Sequence, residues 1–326
     1  MINSQDIFSI SNGKQFEKIA LKIFRFQYES NSVYREFCEL LKIEKGSVKS
    51  LQQIPFLPIQ FFKSHDIVSS SEPIQEIFTS SGTTGMITSK HLITDVYLYE
   101  KSYRNAFSDF YGKIEDYAVL ALLPSYLERS GSSLIYMVKD LIELSNNSNS
   151  GFYLNNYDEL ISKIIELDSS GQNVILIGVT YALLDLIEKQ KFQLKNTIIM
   201  ETGGMKGKRK EIIREELHEI LCEGFGVSSI HSEYGMTELL SQAYSLGNGI
   251  FECPNWMNIL IRDTEDALSY VNTGKTGGIN VIDLANINSC SFIATQDLGK
   301  KYSNNTFEVL GRFDNSDIRG CNLMVM

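Results

Sequence analysis

Apolar residues near the N-terminus recur at helical spacing. Phe16, Ile19, Ala20, Ile23 and Phe24 fall on one side of a helix, because residues three and four apart share a face. A second helix is predicted after Asn31-Ser32, with Val33, Phe37, Leu40 and Leu41 on its buried side. Ile54-Pro55-Phe56-Leu57-Pro58 ends this pattern, since proline restricts its own backbone and that of the residue before it. From about Tyr117 short apolar runs alternate with helical ones. Ala118–Leu123, Asn173–Ile177 and Asn196–Met200 read as buried strands, and Ser133–Leu144 as a helix. The segment after Gly207 predicts a further helix, with Ile212, Ile213, Leu217, Ile220 and Leu221 on one face. Buried strands separated by helices imply a mostly parallel sheet flanked by helices. After Phe251 the runs Met257–Ile261, Gly278–Ile282 and Ser291–Ala294 lie between turn-rich segments such as Asn272-Thr273-Gly274-Lys275-Thr276-Gly277. The expectation is an α/β fold, with an α/β core and N-terminal helices over 1–250 and a β-rich subdomain over 251–326.

Composition narrows the function classes. The 326 residues are 43% hydrophobic and 21% charged, a globular balance without a disorder signature. A net charge of -10 argues against a nucleic-acid binder, and the run Lys206, Lys208, Arg209, Lys210 reads as a solvated helix start. Cys38, Cys222, Cys253, Cys290 and Cys321 show neither CxxC pairing nor a nearby histidine cluster. That argues against a disulfide framework and a structural zinc site, and points to a reducing, cytoplasmic setting. The N-terminus lacks a signal peptide's regions, and the apolar run Val174–Ile187 is interrupted by Gly178, Thr180, Tyr181 and Asp185, so no membrane span is expected.

One loop has phosphate-binding character. Ile77-Phe78 reads as a strand end running into Thr79-Ser80-Ser81-Gly82-Thr83-Thr84-Gly85. Two glycines let the backbone aim N–H groups at an anion, and four hydroxyls between Ser80 and Thr84 add donors with little bulk. The run is either such a cradle or an exposed Ser/Thr/Gly turn. It is not the P-loop motif, which requires GxxxxGK followed by Ser or Thr.

The run closely resembles the phosphate loop of the adenylate-forming superfamily of acyl-CoA synthetases, luciferases and peptide-synthetase adenylation domains. Three further segments follow in that superfamily's order. Glu233-Tyr234-Gly235-Met236-Thr237-Glu238 is similar to its YGxTE segment. The resemblance implies that Tyr234 stacks on adenine, Thr237 contacts phosphate and Glu238 helps hold Mg2+, consistent with a flat ring for a purine and hard oxygen for a hard cation. Thr295-Gln296-Asp297 resembles the TGD segment, with glutamine in the glycine's place, and implies that Asp297 grips the ribose hydroxyls. Gly311-Arg312-Phe313-Asp314 resembles the segment that ends the large N-terminal domain and brings Arg312 to the nucleotide. Thr202-Gly203-Gly204 matches the adenine-binding loop in position, and Lys90 is the candidate for the phosphate-loop lysine.

The chain stops at Met326, shortly after this segment, so the superfamily's C-terminal domain and its lysine are expected to be absent. That truncation, with Ile54–Pro58, Phe62-Lys63 and Arg319-Gly320-Cys321, resembles the LuxE-like acyl-protein synthetases. The resemblance implies ATP-dependent activation of a carboxylic acid, of fatty type, followed by transfer to Cys321. Thr83 and Glu238 then assist the first step. An acyl-carrier or acyl-CoA-reductase-like protein is the expected partner, and Tyr181 a wall of the acid pocket. Two other readings stay open: an acid–CoA or acid–amine ligase, and an adenylate-binding remnant without turnover. Cys321 is the acyl acceptor or a small residue packing with Leu323 and Val325.

Overall fold

In the computed structural model the first long helix spans Gly13–Ser30 and turns Phe16, Ala20, Ile23 and Phe24 inward. The structure describes residues 2–80, 87–124, 131–154, 156–204, 208–209 and 212–313. Asn12 starts this helix, its Oδ1 accepting Gln15 N at 3.0 Å and so meeting a first-turn N–H without a partner inside the helix. The next helix, Ser32–Leu40, is rotated from its predicted setting. Tyr34 and Cys38 are buried, Val33, Phe37 and Leu41 only half-buried, and Leu40 is 76% exposed. Tyr34 takes the inward position because its ring stacks on Phe292 while its hydroxyl donates to Pro55 O at 2.7 Å. A tyrosine whose polar tip is met buries as well as any apolar residue.

The strands follow the apolar runs. Three short ones come first: β1 (Leu57–Pro58), β2 (Glu76–Thr79) and β3 (Lys90–Ile93). The buried runs of the middle region become β4 (Ala118–Leu122), β5 (Gly151–Tyr153), β6 (Val174–Val179) and β7 (Thr197–Thr202). After these come β8 (His231–Tyr234), β9 (Ala243–Ser245) and β10 (Ile250–Glu252). The last set is β11 (Met257–Arg262), β12 (Thr276–Asp283), β13 (Phe292–Lys301) and β14 (Phe307–Arg312).

The chain divides into two compact units. One comprises Ile77–Ser81 and Tyr99–Phe251. Its sheet runs β5-β4-β6-β7-β8 in parallel, with β9 antiparallel on β8. Every residue of β4 and β6 is buried, as expected of parallel strands covered by helices. The helices Ser133–Leu144, Tyr157–Ser169 and Thr180–Lys189 lie against these strands. Gly178 lets the last of these close on β6, since a Cβ there would stand 2.5 Å from Leu183 Cδ2. The helix Arg214–Phe225 buries Leu217, Leu221 and Phe225, but Ile213 and Ile220, predicted on the same face, are exposed. His218 occupies the buried position instead.

The other unit comprises Met1–Glu76, Gly82–Leu98 and Glu252–Met326. Its sheet is antiparallel, β11-β12-β13-β14, and β1 pairs in parallel with β13, Leu57 opposite Ile293. The fully buried Gln27 ties the first long helix to this unit's later residues. Its Nε2 donates to Asn286 O and Ile287 O, and its Oε1 accepts Ser291 N at 3.0 Å. Among the described residues no helix is long and apolar enough to cross a membrane.

Asp168 sets the start of β7. Its carboxylate accepts Lys195 N, Asn196 N at 2.7 Å and Thr197 Oγ1 at 2.8 Å. Asp168→Ala leaves these donors unmet in a half-buried turn, and should cost about 2–4 kcal/mol in urea denaturation without changing the far-UV spectrum.

Candidate functional site

The parallel strands β7 and β8 deliver acidic side chains to their carboxyl ends, the edge where open α/β sheets bind ligands. Neighbouring residues on a strand point to opposite faces, so Glu201 and Thr202 part company, as do Ser232 and Glu233. Thr202 Oγ1 donates to Glu233 Oε2 at 2.6 Å on one face. On the other, Glu201 accepts from Arg214 Nη1 and from Thr180 Oγ1 at 3.2 Å. Arg214 Nη1 also reaches Ser232 Oγ at 3.3 Å, and His218 Nε2 stands 3.6 Å from Glu201 Oε1.

Backbone geometry makes room for this. β7 runs out into Gly203 (φ +78°) and Gly204 (φ +70°), a left-handed pair that only glycine adopts without strain. Both are exposed, so their backbone is open to a ligand. At Gly235 a Cβ would collide with Glu233 Oε1. Arg214 lies over the Phe251 ring at 5.2 Å, and Phe251 meets Tyr234 edge-on at 6.0 Å.

The two acids differ electrostatically. Burial alone would raise Glu201, but the His218 imidazole and the Arg214 charge outweigh it and hold the carboxyl at about 2. Burial pushes Glu233 up to about 7; the Thr202 hydrogen bond opposes that rise and the Glu201 charge adds to it. Burial also lowers His231, whose Nδ1 lies 3.3 Å from the Tyr111 hydroxyl.

The remaining predicted residues fall as follows. Ser80 is half-buried just past β2, whose last residue, Thr79, donates its N–H to Gly131 O at 2.7 Å. Ser81, Gly82, Thr83, Thr84, Gly85 and Cys321 lie outside the described residues. Lys90 is exposed at the start of β3. Tyr234 and Glu238 are buried, whereas Met236 and Thr237 are half-buried. Tyr181 is buried in the first turn of the helix after β6. Asp297 and Arg312 are opposite one another on β13 and β14, Arg312 Nε 3.4 Å from Asp297 Oδ1, with the arginine 83% exposed.

Glu238 offers carboxylate oxygens of the kind magnesium takes, and one or two suffice when phosphates and waters complete the shell. Among the described residues no group of three or more His, Cys, Asp or Glu forms a preformed metal cage.

Two supporting groups were not singled out in the sequence. Arg262, 9% exposed, donates to Ile279 O, Asn280 Oδ1 and Thr295 O, bracing the strand that carries Asp297. The Glu201–Arg214–His218 set had a faint signal, since Arg214 and His218 are four apart on one helix and so share a face.

Comparisons with known proteins bear on the family and the fold. A family model described as acyl-protein synthetase, LuxE, matches residues 1–326. The chain is 23% identical to a long-chain-fatty-acid–luciferin-component ligase of Vibrio harveyi, over 97% of this chain and 88% of that one. It is 22% identical to the ligase of the same name from Aliivibrio fischeri, over 94% and 86%. A 2-hydroxyisobutyryl-CoA ligase, solved with its acyl-AMP and CoA, superposes with a TM-score of 0.66 and 14% identity over 93% of this chain and 70% of that one. ATP-bound MatB from Rhodopseudomonas palustris gives a TM-score of 0.54 and 17% identity, over 74% of this chain. The match spans about half of MatB, 49%. The fold is that of the N-terminal domain of adenylate-forming enzymes.

The depressed Glu201 stabilises the fold above its unfolded pKa, and that contribution fades as pH falls towards about 2. Arg214→Ala should therefore cost about 2–3 kcal/mol at about pH 7 and much less at about pH 3, read by urea unfolding. An equal cost at both would show that the ion pair is not what Arg214 supplies.

Proposed function

The chain belongs to the LuxE acyl-protein synthetase family, and from that premise we propose that it activates a carboxylic acid, of long-chain fatty type, with ATP and passes the acyl group to a protein cysteine. The observation that supports this most is the Glu233–Glu238 segment at the carboxyl edge of a parallel sheet, within a chain matched end to end by that family.

In the first step a carboxylate oxygen attacks the α-phosphorus, the bond to the bridging oxygen breaks, and pyrophosphate leaves with its electron pair. Gly203 and Gly204 offer open backbone, and Tyr234, whose ring packs edge-on against Phe251, is the aromatic residue that would meet adenine. Thr237, Ser80 and the run from Ser81 to Gly85, with Lys90, hold phosphate oxygens, while Asp297 and Arg312 serve the ribose and nucleotide. Magnesium, held in part by Glu238, supplies charge neutralisation to the phosphates when bound.

In the second step a thiolate attacks the acyl carbon and AMP leaves. Burial raises Cys38, Cys253 and Cys290 to about 12 and also raises Cys222, so these four are poor thiolates. That supports Cys321 as the acceptor. An acyl-carrier or reductase-like protein would then take the group onward.

Carboxylate-dependent ATP–pyrophosphate exchange over a panel of fatty and aryl acids tests the first step. Exchange should rise at least about tenfold with one class of acid, and fall at least about a hundredfold in Asp297→Ala. Cys321→Ser should keep exchange while abolishing protein-bound thioester seen by mass spectrometry. Acyl-CoA formed at an unchanged rate by that variant would move the acceptor to coenzyme A. ATP bound with no exchange on any acid would leave only an adenylate-binding remnant.

A further inference from the structure

Arg214 sits where a cation is least expected. It opens the helix Arg214–Phe225, whose first turn otherwise carries Glu215 and Glu216, and the unmet N–H groups at that end favour anions. Two oxygens hold it there. Its Nη1 donates to the buried Glu201 carboxylate and reaches Ser232 Oγ at 3.3 Å. Its Nε is buried with no hydrogen-bond partner among the described residues. The guanidinium carbon lies 5.2 Å from the centroid of the Phe251 ring, and attraction to that electron-rich face offsets part of the cost of the unmet donor.

The chain makes room for this arginine. Gly249 (φ +66°) takes a left-handed backbone, and a Cβ there would stand 2.6 Å from Arg214 Cδ, so the arginine stem runs against the turn that leads into β10. Phe251 is the middle residue of β10 and only 1% exposed. Its ring meets that of Tyr234 edge-on, with centroids 6.0 Å apart and planes at 64°. Ser232 and Tyr234 are two apart on β8 and so share a face of the sheet. Arg214 therefore bears on this face twice, at Ser232 directly and at Tyr234 through Phe251. All of these residues lie in the Tyr99–Phe251 part of one compact unit.

We propose that Arg214 and Phe251 are positioning residues for the nucleotide base: the guanidinium, anchored on Glu201 and Ser232, holds Phe251 edge-on against Tyr234 and fixes the tilt at which Tyr234 receives adenine. This rests on the reading of Tyr234 as the residue that meets adenine. Stacking depends on ring orientation, and one base on one aromatic ring supplies a substantial part of a nucleotide's affinity. Neither positioning residue has to touch the nucleotide. Arg214 acts through Phe251, and Phe251 through Tyr234, so a change in the first is felt only while the second is present.

Dissociation constants for ATP, measured by calorimetry, and KM values from the exchange reaction test this. Phe251→Leu should weaken ATP binding about tenfold, and Arg214→Lys, which keeps a charge beside Glu201 and loses the flat guanidinium, about threefold. In exchange the KM for ATP should rise by the same factors, while those for the acid and for pyrophosphate, which carries no base, stay within about twofold. Adding Arg214→Lys to Phe251→Leu should weaken ATP no further. Effects that multiply in the double variant would overturn the proposal, as would unchanged ATP affinity in Phe251→Leu. An equal rise in all three KM values would overturn it too, as the mark of a general loss of structure. Replacing Tyr234 with meta-fluorotyrosine reads the ring without any nucleotide. Its fluorine resonance in the ligand-free protein should move in both variants, and a resonance fixed in both contradicts the proposal whether or not ATP binds. A wild type that binds no ATP would overturn the nucleotide reading and this proposal with it. ATP binding weakened in the expected pattern, with no exchange on any acid, would count against the acid-activation reading alone.

Discussion

Adjacent parallel strands bring two glutamates to one sheet edge, and strand alternation puts their carboxyls on opposite faces. Their surroundings drive the two carboxyls in opposite directions. Glu201 is given a guanidinium, a hydroxyl and an imidazole, and stays ionised in spite of burial. Burial, with the nearby Glu201 charge, makes Glu233 resist ionisation against the opposing Thr202 hydrogen bond. Carboxyls driven in opposite directions are a mark of candidate functional sites. The glycines after each strand follow from this: Gly203 and Gly204 expose backbone, and Gly235 yields its side-chain volume to Glu233.

Much of the fold was legible because buried parallel strands are short, wholly apolar and separated by helices. β4, β6 and β7 lie within a residue or two of the runs that predicted them. The errors came where a polar atom found a partner that periodicity cannot see. Tyr34 displaced Val33 and Leu40 from the inner face of its helix because Pro55 O accepts its hydroxyl. His218 took a buried place next to Glu201 while Ile213 and Ile220 stayed outside. Gln27, polar in the sequence, is fully buried because its partners sit some 260 positions away along the chain.

The candidate site was legible as motif and not as electrostatics. Tyr234, Glu238, Asp297 and Arg312 were named from the motifs they match and the order of those motifs along the chain. Order could not show that Asp297 pairs with Arg312 across two strands, that Arg262 braces the strand beneath it, or that Glu233 lacks a cation. Those are properties of packing. They matter because an anion-binding site works by the balance between donors offered and like charges tolerated.

Activation of the acid as an adenylate requires a carboxylate oxygen to become bonded to phosphorus. Supplying the acid with a heavy-oxygen label in its carboxylate, and completing turnover with a thiol acceptor, reads that bond directly. An acyl-adenylate leaves one labelled oxygen in the AMP released. Label in inorganic phosphate, with ADP as the nucleotide product, would show an acyl-phosphate route and contradict the account.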